Sequence, residues 1–155
     1  MTREERARQS AMNRVYQNCP EVHESINGTF QNGDMWAVCD SYRFIRSKNR
    51  PQDIPESMGM DLDTVIPCDA KNGSIVYLPT VSEIKKHINA HGFTRVRNPG
   101  VIEAIPGWWC NPFYLLDMVQ AFPDAVYYKP SKATTALYCE GEDGDALLCP
   151  VRHSA

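Results

Sequence analysis

The sequence has no long apolar run. Nothing in its 155 residues approaches the roughly 18 consecutive apolar positions that a membrane span requires. The start, Met1-Thr2-Arg3-Glu4-Glu5-Arg6, carries both signs of charge and no apolar stretch follows it, so no signal peptide is expected and the chain reads as cytoplasmic. The six cysteines, at 19, 39, 68, 110, 139 and 149, form no CxxC pair. That removes the common zinc and redox spacings and predicts free thiols acting as small buried hydrophobes. A Gly-rich phosphate loop, GxSxG and HExxH are all missing, which excludes the enzyme classes those motifs serve. A basic surplus is missing too: the net charge of −3 argues against a simple nucleic-acid binder.

What is present suits one globular domain. Apolar residues make up 43% and charged residues 23%, enough for a core without metal or disulfide staples. Charge is uneven along the chain. Arg3, Arg6, Arg8 and Arg14 fall in the first segment, and Lys85, Lys86, Arg95 and Arg97 in a later one, while acidic residues gather at 53–69 and 140–145.

Ala7, Ala11, Met12, Val15 and Tyr16 recur at helical spacing, which predicts a helix over 3–17 stopped by Asn18-Cys19-Pro20. A hairpin follows, with arms at 25–30 and 35–45 around the turn Asn32-Gly33. Pro51, Pro55 and Pro67 break 46–73 into a long loop or insertion. A short strand is expected at 74–78 and a helix at 81–91 ended by Gly92. Two strands are expected within 93–109, turning at Asn98-Pro99-Gly100. Asn111 then caps a helix over 113–122 with Pro112 at its first position. Strands at 125–129, 134–139 and 145–151 close the chain. This order predicts a single α+β domain over 1–155, with an antiparallel sheet and two to three helices.

Three groups could carry chemistry. His87 and His91 stand at i and i+4 and could share a zinc ion, with Cys110 or the Cys19–His23 pair supplying a third ligand; the plainer reading is two solvent-facing histidines beside Lys85 and Lys86. The arginines of the first helix could contact phosphates or simply form a solvated face. Trp108-Trp109 could stack on bases, but one ring in the core and one at the surface is expected beside a helix cap.

Two segments carry a resemblance. Ile26 to Phe44 is similar to the strand, turn and strand of the bacterial DNA sliding clamp, the β subunit of the replicative polymerase, which ends in Thr-Asp-Gly-His-Arg-Leu. Asp40 and Arg43 match that signature, and Cys39, Ser41, Tyr42 and Phe44 depart from it. Asn111 to Phe122 resembles the last helix of that family, with its Tyr-Leu-Leu-Asp core at Tyr114-Leu115-Leu116-Asp117. The ending Cys149-Pro150-Val151-Arg152 resembles the family's Met-Pro-Met-Arg, with Pro150 and Arg152 retained.

The resemblance implies a clamp-like domain without catalytic activity or cofactor. It implies binding of replication or repair proteins through short peptides and, on the family's pattern, contact with duplex DNA without reading its sequence. The peptide pocket would involve Cys39, Asp40, Tyr42, Arg43, Phe44, Cys149, Pro150, Val151 and Arg152. Arg3, Arg6, Arg8, Arg14, Lys85 and Lys86 would face DNA. One domain is a sixth of such a ring, so copies could assemble by pairing strand edges. A phage or mobile-element origin suits a chain of this size. Two other readings stand beside it: a monomeric adaptor or decoy with no DNA contact, and a zinc-binding enzyme using His87 and His91.

Overall fold

The structure, a computed structural model, describes residues 1–153. Each helix starts where a side chain satisfies its first free amides. In α1 (Arg3–Asn18) Thr2 accepts from the Glu5 amide while Glu5 reaches back to the Thr2 amide. Thr80 and Glu83 repeat the device at α2 (Val81–His91), which Gly92 ends in the left-handed conformation at φ 66°. Asn111 accepts from the amides of Phe113 and Tyr114 and opens α3 (Pro112–Ala121).

Six antiparallel strands form one sheet: β1 (Phe30–Asn32), β2 (Met35–Cys39), β3 (Arg43–Ser47), β6 (Val126–Tyr128), β7 (Leu137–Gly141) and β8 (Gly144–Leu148). Their spatial order is β1-β2-β3-β8-β7-β6, so the β3–β8 pairing, from Arg43↔Leu148 to Ser47↔Gly144, joins the two halves of the chain. A separate hairpin, β4 (Ile102–Ile105) and β5 (Trp108–Cys110), precedes α3.

The expected arm at 35–45 is two strands. Asp40 accepts from the amides of Tyr42 and Arg43 at 2.7 and 2.9 Å, a turn stabilised by its own side chain, and Cys39 comes to lie opposite Phe44. The expected turn at Asn98-Pro99-Gly100 is displaced to Pro106-Gly107, where Gly107 takes φ 78° between the paired Ile105 and Trp108. Residues 74–78 form no full strand, although Ile75 bridges Tyr128.

The two faces of the sheet are covered differently. Val38, Ile45, Leu137, Cys139, Ala146 and Leu148 pack against α1, α3 and the β4–β5 hairpin in the main core. Here α2 is part of the helical layer, packed on α3 through Ile84 and Ile88. Phe30, Ala37, Cys39, Phe44, Tyr138 and Leu147 point to the other face, where Leu62, Ile66 and Ala70 of the excursion cover them. The excursion at 46–73 is therefore a wall of the domain. Its single-turn helix over Leu62–Val65 is held from below by Arg46, which bonds Asp63 at 2.8 Å and Asp145 of β8. That arginine is buried, and so are both Asp145 oxygens that receive it.

Loop segments also occupy the sheet's rims. Beside β1, the Thr29 amide donates to the Pro55 carbonyl and Ser57 donates back to Thr29. Beside β6, the Val76 amide donates to Tyr127 and Lys129 donates to Ser74. Part of each outer edge is thus already paired within the chain, which blunts edge-to-edge growth.

Two measurements check this architecture. Leu62→Ala should lower unfolding free energy by about 2–4 kcal/mol in urea melts, since Leu62 is 2% exposed. Light scattering across concentrations should return the mass of one chain, 17.5 kDa; an assembly of several copies would mean that the covered rims open.

Candidate functional site

The two segments that resemble the clamp family meet in space. Asp117, from the Tyr-Leu-Leu-Asp core of α3, has a side chain with no exposure and accepts from three arginines. Arg14 of α1 reaches Oδ1 at 2.9 Å, and Arg43 of β3 reaches Oδ2 at 2.9 Å. Arg95, from the loop after α2, grips both oxygens at 2.8 and 3.0 Å. Arg43 also bonds Asp40 at 3.2 Å, and its guanidinium lies 3.9 Å from the centroid of the Tyr114 ring. Asn18 closes the group, donating to Asp40 and to the Tyr114 hydroxyl. A buried carboxylate needs such partners because an unpaired charge out of water is costly.

A second feature is an apolar groove of about 610 Å³ at the end of the sheet. Trp109 of β5, Ala133, Ala136, Cys149, Pro150 and Val151 line it, with Arg152 and His153 at its mouth. The closing segment is fixed on both sides. The Cys149 amide donates to the Tyr42 carbonyl at 2.8 Å, and the Val151 amide donates to the Trp109 carbonyl at 2.9 Å. The His153 ring lies 3.9 Å from that of Trp109. Trp108 is the buried member of the tryptophan pair and donates its indole N–H to Thr135.

The expected pocket residues therefore divide. Cys149, Pro150, Val151 and Arg152 share the groove. Cys39 and Phe44 face the second core under the excursion, and Asp40 and Arg43 are consumed by the ion network. Tyr42 is half exposed, with its ring 6.4 Å from that of Tyr114 and its backbone against Cys149. Side-chain alternation explains the split. Strand β3 turns Arg43 toward the helices and Phe44 toward the other face, so neither reaches the rim where the groove opens. Trp109 and Ala133 line it from parts of the chain that carry no matching motif. A Trp-Trp pair with one ring left outside the core was the one sequence signal for this wall.

The basic set divides as well. Arg3, Arg6, Lys85 and Lys86 are exposed. Arg8 is 4% exposed, donates to the Ala121 carbonyl and lies over Phe122, so it cannot face DNA. Arg14 donates one hydrogen bond to Asp117 and keeps the rest of its guanidinium about one third exposed. A metal site at His87 and His91 lacks its third ligand: among the described residues no group of three His, Cys, Asp or Glu side chains is placed to hold an ion. His87 Nε2 donates to the Val101 carbonyl and His91 Nδ1 to the His87 carbonyl, each at 2.9 Å, while the two rings lie tilted with centroids 4.3 Å apart.

Among the cysteines, Cys19, Cys39, Cys110 and Cys139 are buried, Cys149 is half-buried and Cys68 is exposed, all as free thiols. Burial pushes the Cys39 thiol up to about 12, helped by the neighbouring Cys19 and Asp40, and raises Cys149 by the same causes without Cys19. Cys149 enters the groove as a neutral, apolar group.

No protein-family model matches the sequence, and no curated protein does. Among solved structures, the chain is similar to the β chain of DNA polymerase III from Streptococcus pneumoniae TIGR4, with a TM-score of 0.54 and 12% identity. The match covers 94% of this chain and 64% of that one, so this chain spans less than two thirds of its neighbour's length. The fold is clamp-like. Within this clamp-like domain the Asp117 network joins α1, β3, α3 and the loop after α2.

Asp117→Asn should lower stability by about 3 kcal/mol in chemical denaturation, because it leaves the buried Arg43 guanidinium short of a counter-charge. A loss below about 1 kcal/mol would mean that Asp40 alone carries Arg43.

Proposed function

We propose that this chain is a non-enzymatic, clamp-like protein of DNA replication that binds replication or repair proteins by taking a short peptide into the groove of Trp109, Cys149, Pro150 and Val151. The observation that carries this reading is the position of the closing segment. The residues resembling the clamp family's Met-Pro-Met-Arg end line an open apolar groove on a clamp-like fold. An apolar side chain of the peptide would sit against Trp109 and Val151, and exposed Arg152 at the mouth would hold an acidic group beside it.

The charge distribution supports a peptide over duplex DNA as the ligand. With Arg8 buried and Arg14 paired, Arg3, Arg6, Lys85 and Lys86 are what remains of the expected basic face. Glu4 and Asp124 line the same cleft as Arg3 and Lys85. The loop segments that pair with part of each sheet rim favour action as a monomer, an adaptor or competitor at replication proteins, over self-assembly into a ring.

The test is fluorescence polarisation with a labelled short acidic peptide carrying Leu and Phe anchors. Val151→Asp should weaken binding at least tenfold, and Arg152→Ala by a smaller factor, with the far-ultraviolet circular dichroism unchanged. Absence of binding at millimolar peptide, or equal binding by Val151→Asp, would overturn the assignment of the groove.

A further inference from the structure

The two buried carboxylates have no acceptor capacity to spare. Asp117 accepts four bonds, from Arg14, Arg43 and twice from Arg95. Asp40 also accepts four, from the Tyr42 and Arg43 amides, the Arg43 side chain and Asn18. A carboxylate offers about four such positions, so both are saturated. The donors are not. Arg14 uses one of its N–H-bearing nitrogens, and among the described residues Arg43 Nη2 and Arg95 Nε meet no protein acceptor. Three guanidinium charges face two carboxylates, which leaves one positive charge over.

That surplus opens into a cleft. A cavity of about 290 Å³ lies between the end of α1, the loop after α2 and the start of α3. Arg14, Gln17, Arg43, Arg95, Asn111 and Tyr114 line it, and no acidic side chain does among the described residues. The Asn111 side-chain oxygen is occupied in capping α3, so its amide N–H groups are what it can offer, next to the positive end of that helix. Arg14 and Arg95 are about one third exposed, so their free edges reach solvent while their bonded edges hold Asp117.

We propose that this cleft binds a phosphate group. The donors come from α1, β3 and the loop after α2, and so line one cleft from separate elements. A phosphate presents its oxygens in three dimensions and carries up to two charges, whereas a carboxylate presents two oxygens in one plane. The buried pair of carboxylates holds the arginines in place before a ligand arrives, so little side-chain freedom is lost on binding.

The probe is inorganic phosphate, added to the full chain at constant ionic strength against sodium chloride, with the unfolding temperature as readout. At about ten times its Kd, phosphate should raise the midpoint by about 3–5 °C. Sodium acetate should give no comparable rise. Changing an arginine could unfold the domain by stranding Asp117, so the decisive variant is Gln17→Glu. It places a negative charge on an exposed position of the cleft and leaves every Asp117 bond intact; the rise should vanish while the midpoint in chloride stays within about 2 °C. Equal midpoints in phosphate and chloride, an equal rise in acetate, or a rise kept by Gln17→Glu would each overturn the proposal. A nucleoside 5′-monophosphate in the same assay distinguishes sources. Action at lower concentration than phosphate assigns the group to a nucleotide or nucleic-acid end, and equal action assigns it to free phosphate.

Discussion

Asp117 is a full negative charge in the middle of an almost entirely buried helix, and the tertiary structure is organised to answer it. Leu115, Leu116 and Met118 around it are buried, so water cannot solvate the carboxylate. Its partners come from three places that are distant in sequence: Arg14 on α1, Arg43 at the start of β3 and Arg95 after α2. Each bond sets a distance between layers, helix to helix through Arg14 and helix to sheet through Arg43. Asp40 then fixes Arg43 from the other side and shapes the turn between β2 and β3 with the same carboxylate. The network positions the layers while apolar burial supplies most of the driving force.

The same economy appears at the sheet's second face and its rims. A sheet with apolar side chains on both faces must be covered twice. The helices cover one face, and the proline-rich excursion covers the other through Leu62, Ile66 and Ala70. The segments at 55–57 and 74–76 then pair with part of each hydrogen-bonding edge. Among the places left open are an apolar groove at the closing segment and a basic cleft over the Asp117 network. They differ in chemistry. Apolar side chains make up most of the first lining, and three arginines line the second.

A clamp-like fold does not bring a function with it, because function resides in sites carried by a fold. In this chain the candidate sites combine departures from the resembled pattern with matches to it. Phe44 is buried in the second core, and the open groove lies by Trp109 and Cys149 to Arg152. Arg43 matches the family signature, and two of its three guanidinium nitrogens bond Asp40 and Asp117, so its match in sequence coincides with a structural bond to Asp117.

Local structure was legible in the sequence: three helices, one of them with its cap at Asn111, the Asn32-Gly33 turn, and an α+β order ending in antiparallel strands. These follow from interactions within a few residues, such as a hydroxyl accepting an amide three positions on, and so can be read from adjacent letters. The meeting of the Asp-x-x-Arg and Tyr-Leu-Leu-Asp motifs was not legible, although both motifs were. Only the tertiary structure decided that Arg43 faces Asp117, that Arg8 is buried under Phe122 and Asp143, and that 46–73 is a wall of the core. Each depends on which strands pair across the β3–β8 join. That register brings residues some hundred positions apart within one hydrogen bond, and periodicity along the chain carries no record of it.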